Sequence, residues 1–242
     1  MDITKFTRPA RKVLNVKLRR CGAVIVAAGN ASRMGGVDKM MAPLGGEPVI
    51  KRTVRAFQES DVISEIVVVT REDLLMPISN LCAGFDKVRA VVVGGKNRLE
   101  SVHLGLNALS DKAKLAAIHD GARPFISWQV IDRVVRAANT YHAAAPAIPV
   151  KDTIKTVQGG VVKNTPDRSL LRAVQTPQVF DFDLIRGALK QAIIEEAPIT
   201  DDCSAVERLG MSVKIVEGDE RNLKITTPMD LKIAELLLEE TV

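Results

Sequence analysis

Residues Cys21 to Lys39 read CGAVIVAAGNASRMGGVDK. An apolar run without polar alternation stops at Ala27-Ala28-Gly29, and a segment of small and polar residues carrying Arg33 and Lys39 follows. A short Val/Ile/Ala run of this kind predicts a strand buried on both faces, as in a parallel sheet covered by helices. The segment after it is either a tight turn or a cradle for phosphate. Glycines let backbone N–H groups approach oxygens closely, and Arg and Lys neutralise phosphate charge.

Working outward, the same pattern repeats. Apolar runs at 23–28 (AVIVAA), 65–70 (EIVVVT), 88–93 (VRAVVV) and 115–120 (LAAIHD) alternate with segments of helical spacing at 48–60, 99–109 and 128–141. Strand–helix alternation predicts βαβ units and a mostly parallel α/β sheet. The pattern breaks after AAAPAIPV (143–150). KDTIKTVQGGVVKNTPDR then reads as a β-hairpin turning at Gly159-Gly160, a projecting arm of about residues 151–172. Parallel strands are expected to resume with RAVQTPQVF (172–180). A helix at 181–196, a short helix near 202–209, a strand at 212–218 and a last helix at 229–238 complete the chain. One domain over 21–242, preceded by an extension over 1–20, accounts for these 242 residues.

Composition narrows the function classes. Aromatic residues make up only 3% of the chain, so the core is aliphatic. The net charge of +5 invites a nucleic-acid reading, but residues 1–20 hold seven basic side chains and one acid. That balance of +6 leaves the remainder near −1, so the basicity belongs to the extension and not to a face of the domain. A solvated tail and a targeting segment both suit its composition, although the apolar core of a secretory signal is missing. No apolar run approaches the roughly 18 residues that span a bilayer. The three cysteines, Cys21, Cys82 and Cys203, lack metal-ligand spacing and read as reduced cytoplasmic thiols.

Ligands of open α/β sheets lie beyond the carboxyl ends of the strands. Four such ends here carry Arg or Lys, three with glycine among them and the last just after Gly218: Gly29 to Lys39, Gly94 to Arg98, Asp120 to Arg123, and Arg221 to Lys224. A polyphosphate site is the reading that unites them. GxxxxGK[ST] is absent, and Gly29 and Gly35 lack the middle glycine of GxGxxG, which excludes a P-loop NTPase and an ordinary dinucleotide site.

AAGNASRMGGVDK resembles the AAGxGxRMxxxxPK signature of nucleotidyltransferases that activate sugar and polyol phosphates. GGKNRLESV (94–102), HDGARP (119–124), VKDTIK (150–155), TPQVF (176–180), ITDDCSAVE (199–207) and EGDERNLKITTPMDL (217–231) follow in order. Together they resemble the 2-C-methyl-D-erythritol 4-phosphate cytidylyltransferase family over about residues 22–240. The ribitol-5-phosphate cytidylyltransferases share most of these motifs. The resemblance implies a Rossmann-like nucleotidyltransferase domain, transfer of CMP from CTP to a polyol phosphate, Mg²⁺, a cytoplasmic enzyme, and a homodimer with swapped arms; it implies neither a nucleic-acid nor a membrane partner.

It also implies roles. Arg33, Lys39, Arg168 and Lys224 would be catalytic. Ala27, Ala28, Gly29, Gly95, Arg98, Ser101, Asp120 and Gly121 would surround CTP together with Arg33 and Lys39. Asp120, Arg123, Thr153, Arg168, Thr200 and Lys224 would meet the polyol phosphate, with Asp120 the carboxylate nearest Mg²⁺. The attacking phosphate is already ionised, so no general base is needed and His119 reads as structural. The obstacle is repulsion between anions, which calls for positioning and positive charge. The chain departs from the family pattern at Asp38, Lys96, Gly121 and Arg221.

Overall fold

The computed structural model describes residues 17–29 and 38–239. Its core is β1 (Cys21–Ala27), flanked in parallel by β4 (Ile63–Thr70) on one side and β6 (Leu115–Asp120) on the other, with β5 (Val88–Val93) parallel to β4 at the edge. These are the four apolar runs. In β1, β4 and β6 the lack of alternation has a direct cause, since both faces are covered, whereas β5 at the edge is only partly buried. On β1, Ala23, Ile25 and Ala27 enter one core cluster while Val24 enters the other.

Helices α1 (Val49–Gln58), α2 (Leu75–Cys82), α4 (Trp128–Tyr141) and α7 (Pro228–Glu239) cover the first face. Helices α3 (Arg98–Ala108), α5 (Phe182–Ile194) and α6 (Asp202–Glu207) cover the second. α2 escapes the sequence pattern because it is short and carries Pro77, a residue tolerated in a first helical turn. A small hairpin of β2 (Pro43–Leu44) and β3 (Glu47–Pro48) precedes α1.

Beyond β6 the structure corrects the expectation of resumed parallel strands. Residues 172–180 form two strands, β10 (Arg172–Val174) and β11 (Gln178–Asp181), both antiparallel to β7 (Ala143–Pro149). β11 wedges between β6 and β7, pairing antiparallel with both. β12 (Lys214–Glu217) then joins the far edge of β7 in parallel. An apolar strand buried on both faces looks the same in either direction, so composition does not reveal the reversal.

The hairpin arm is present as expected. β8 (Thr156–Gln158) and β9 (Val161–Asn164) pair only with each other. They turn on Gly159 and Gly160, whose φ values of +58° and +78° suit glycine. Every residue of both strands is exposed. Arg19 and Arg20, counted with the N-terminal extension from sequence, belong to the folded body. Arg20 O accepts from the N–H groups of Lys114 and Leu115, and Arg19 bonds Asn139, Ala138 O and Asp181. Among the described residues no helix is long and apolar enough to cross a membrane.

Candidate active site

The carboxyl ends of β1, β4, β5 and β6 converge on a cavity of about 420 Å³. Ala28 and Gly29 enter it from β1, Gly95, Arg98 and Ser101 from the β5–α3 junction, and Asp120 from β6. Lys39 and Lys224 complete the basic wall, joined by Lys96. Eight of the residues singled out from sequence thus share one space.

The floor is bare backbone, and local sequence explains it. Asn97 caps α3, its Oδ1 accepting from Glu100 N (2.9 Å), while Glu100 Oε2 accepts from Lys96 N (2.9 Å). Ser101 Oγ accepts from Gly95 N (3.1 Å) and donates to Asn97 O (2.8 Å). This knot presses Gly94 and Gly95 inward. A Cβ on Gly94 would lie 2.7 Å from that of Ala28, and one on Gly95 would lie 2.4 Å from that of Glu100. Only glycine leaves the slot between Ala28 and Ser101 open.

Charge concentrates on Asp120. Lys224 Nζ lies 2.8 Å from Oδ2, Arg123 Nε 3.4 Å from the same oxygen, and Arg98 Nε 3.7 Å from Oδ1. Burial by itself would raise the carboxyl pKa. Lys224 and Arg98, then Arg123, outweigh it and hold Asp120 well below the usual carboxylate range. Arg98 is anchored from behind by a bidentate pair with Asp202 (2.9 and 2.7 Å), a residue almost wholly buried. Burial works against the guanidinium charge, but the Asp202 carboxylate overcomes it and raises the Arg98 pKa.

A buried chain of hydrogen bonds sets the backbone beneath Asp120. Asp120 N donates to Thr176 Oγ1 (3.1 Å), which lies 3.0 Å from His119 Nδ1. His119 Nε2 lies 3.2 Å from Arg123 O. A carbonyl only accepts, so Nε2 carries the proton and Nδ1 accepts from the Thr176 hydroxyl. Burial drives the His119 pKa down to about 3. The ring is neutral and structural, as expected from sequence. Asn222 Nδ2 donates to Thr176 O (2.9 Å), and Asn222 O accepts from Arg123 Nη1 (2.7 Å). The loop bearing Lys224 is thereby pinned to the end of β6.

Several expected ligands lie elsewhere. Ala27 points into the core, because strand alternation sends it opposite to Ala28. Gly121 packs among Ile50, Ala27 and Val26 O, and neither residue lines the cavity. Arg123 does not line it either; its guanidinium is turned inward onto Asp120 and Asn222. Thr200 is exposed outside the cavity lining. Thr153 and Arg168 belong to the arm segment, also outside that lining, and Arg168 Nη1 donates to Lys151 O (2.7 Å). Arg33 lies outside the described residues. Conversely, Thr70, Arg71 and Glu72 line the cavity from the end of β4, a strand end the sequence reading passed over. The signal was present, since an Arg immediately follows the apolar run.

The sequence profile of the 2-C-methyl-D-erythritol 4-phosphate cytidylyltransferase family matches residues 21–240. The enzyme of that name from Symbiobacterium thermophilum is 46% identical over 90% of this chain and 92% of its own. That from Geobacillus kaustophilus is 46% identical over 89% and 96%. Among solved structures, the 4-diphosphocytidyl-2C-methyl-D-erythritol synthase of Anaerococcus prevotii superposes with a TM-score of 0.83 at 31% identity, covering 91% of this chain and 96% of that one. The Thermus thermophilus cytidylyltransferase does so with a TM-score of 0.74 at 32% identity, covering 91% and 99%.

Proposed function

The chain belongs to the 2-C-methyl-D-erythritol 4-phosphate cytidylyltransferase family, and from that premise we propose that it transfers CMP from CTP to 2-C-methyl-D-erythritol 4-phosphate. The products are 4-diphosphocytidyl-2-C-methyl-D-erythritol and pyrophosphate, a step of the non-mevalonate isoprenoid route carried out in the cytoplasm. The observation that carries this reading is the cavity, with its glycine floor between Ala28 and Ser101 and its wall of Lys39, Lys224 and Arg98.

The cytosine ring occupies the slot over the Gly94–Gly95 backbone, where carbonyls accept from an exocyclic amino group and disfavour a base that offers an acceptor instead. The triphosphate lies toward Lys39. Lys224, held at 2.8 Å from Asp120, supplies charge where the substrate phosphate meets the α-phosphate. Its ammonium offsets the repulsion between the two anions, which is the main barrier to this displacement. No proton has to be removed from the nucleophile, and the neutral, enclosed His119 agrees with that.

Mg²⁺ fits the cavity as an ion held by phosphate oxygens and water. Asp120 presents an ionised carboxylate there, and among the described residues no three His, Cys, Asp or Glu side chains converge as a protein cage. Bound there, the ion neutralises triphosphate charge. Chelation should abolish turnover and added Mg²⁺ restore it.

The arm completes the site across a homodimer. Supporting this are its exposed apolar side chains, Val157, Val161, Val162 and Leu170, and the position of Thr153 and Arg168 away from their own chain's cavity. Arg168 from one protomer would take the polyol phosphate at the other's cavity.

The deciding experiment measures pyrophosphate release from CTP with each polyol phosphate. Release with methylerythritol phosphate is expected. Release with ribitol 5-phosphate alone would overturn the substrate assignment.

A further inference from the structure

Arg71, directly after β4, is held on three sides. Its Nε and Nη2 donate to the two carboxylate oxygens of Asp73 (3.0 and 2.8 Å). Its Nη1 lies 2.7 Å from Asp38 Oδ2 and donates to Gly29 O at 3.4 Å. In the sequence, Gly29 and Asp38 are the residues immediately before and after 30–37, the segment that carries Arg33. One side chain therefore joins both ends of that segment to the end of β4.

Asp38 passes the restraint onward. Its Oδ1 accepts from Met40 N (2.8 Å) and Met41 N (3.3 Å), and its carbonyl accepts from Ala42 N (2.9 Å). Those bonds define the turn in which Lys39 stands, and Lys39 and Arg71 both line the cavity. The alternative role for a cavity arginine is direct contact with phosphate. Here two carboxylates already face the guanidinium, and its Nε and both terminal nitrogens are engaged. Its planar fork spans Asp73, Asp38 and Gly29 O together, which the point charge of a lysine does not do.

We propose that Arg71 is a positioning residue of the nucleotide site: through Asp38 it holds the turn that presents Lys39 to the triphosphate, and it sets the separation of Gly29 from Asp38. The proposal rests on the assignment of the cavity to CTP.

The test uses Arg71→Met, Arg71→Lys, Asp38→Asn and the Arg71→Met/Asp38→Asn double variant of the full chain. Two quantities are read: hydrogen exchange of the Met40 and Met41 amides without nucleotide, and the dissociation constant of CTP by calorimetry. Arg71→Met should speed exchange of those amides and weaken CTP binding, each by about tenfold, with the double variant no worse than the worse single one. KM for CTP should rise more than kcat falls, and Arg71→Lys should not restore either quantity. Unchanged exchange in Arg71→Met, or strictly additive losses of CTP affinity, overturns the proposal; weaker CTP binding with unchanged exchange makes Arg71 a direct ligand instead. If the parent protein binds no CTP, the assignment of the cavity fails, while the exchange measurement still decides whether Arg71 holds the turn.

Discussion

Lowering the pH from 7 to 5 should destabilise this fold by about 2 kcal/mol through His119 alone. The ring is fully buried, its centroid 4.8 Å from that of the tilted Phe57 ring, with both nitrogens engaged. Its pKa falls from 6.5 to about 3, chiefly by burial. The unfolded chain therefore takes up a proton near pH 6.5 that the folded chain refuses until about pH 3. Above pH 6.5 neither state is protonated, and the stabilising contribution is complete. Below it the contribution is lost at about 1.4 kcal/mol per pH unit. The 1.5 units between 6.5 and 5 thus amount to roughly 2 kcal/mol, or about 4–8 °C in Tm for a chain of this size. Carboxylates, including Asp202, whose pKa burial raises, are the same in parent and variant and cancel in the comparison below.

The assay is thermal unfolding followed by circular dichroism at pH 7, 6 and 5, in the parent protein and in His119→Gln. His103 and His142 are also depressed by burial, but they remain in both proteins, so the difference isolates His119. The variant should start lower and lose about 2 kcal/mol less on acidification. Equal losses in the two proteins would refute the reasoning. Because the ring stays neutral throughout, turnover should show no ionisation near 6.5 that His119→Gln removes.

Lys224→Met and Lys39→Met should each reduce kcat/KM in the pyrophosphate assay by about 10²–10³, the loss expected when charge is withdrawn from the transition state; a near-parental rate would remove that residue from the mechanism. Asp202→Ala removes the bidentate partner of Arg98 and leaves it Asp120 at 3.7 Å. It should cost about 1–3 kcal/mol in denaturant unfolding, and an unchanged midpoint would mean that the pair is not what holds Arg98. Arg168→Ala and Lys39→Ala subunits, each nearly inactive alone, should regain activity when mixed if each site borrows the neighbour's arm. Verified heterodimers without recovery would place Arg168 in its own chain's site. Removing 156–164 should shift the protein to monomer in light scattering, and an unaltered dimer mass would show that the arm is not the clamp.

The carboxyl end of β4 marks how far the sequence could be read. Arg or Lys after apolar runs, mostly with glycine, singled out Gly29, Lys39, Gly95, Arg98, Asp120 and Lys224, the family resemblance added Ala28 and Ser101, and all eight line one cavity. VVVTRED carries Arg71 but no glycine, so that rule passes over it, and an Arg directly after an apolar run is the signal that remained. Ala27 lies outside the cavity lining for a different reason. Ala27 ends β1 and Ala28 follows it, their side chains face opposite ways, and only the packed sheet shows which of the two lines the cavity. Asp202 was hidden because its partner Arg98 stands 104 residues away.

By itself the sequence determined most of the elements and the family. Strands covered on both faces must be continuously apolar, and charge at their carboxyl ends is a local feature that survives without coordinates. The tertiary structure alone decided direction and partnership. β11 runs antiparallel between β6 and β7, although its composition suits either sense. Asp120 meets Lys224, Arg98 and Arg123 across loops from different elements. Such contacts depend on which chain ends the sheet brings together, and hydrophobic periodicity carries no record of that.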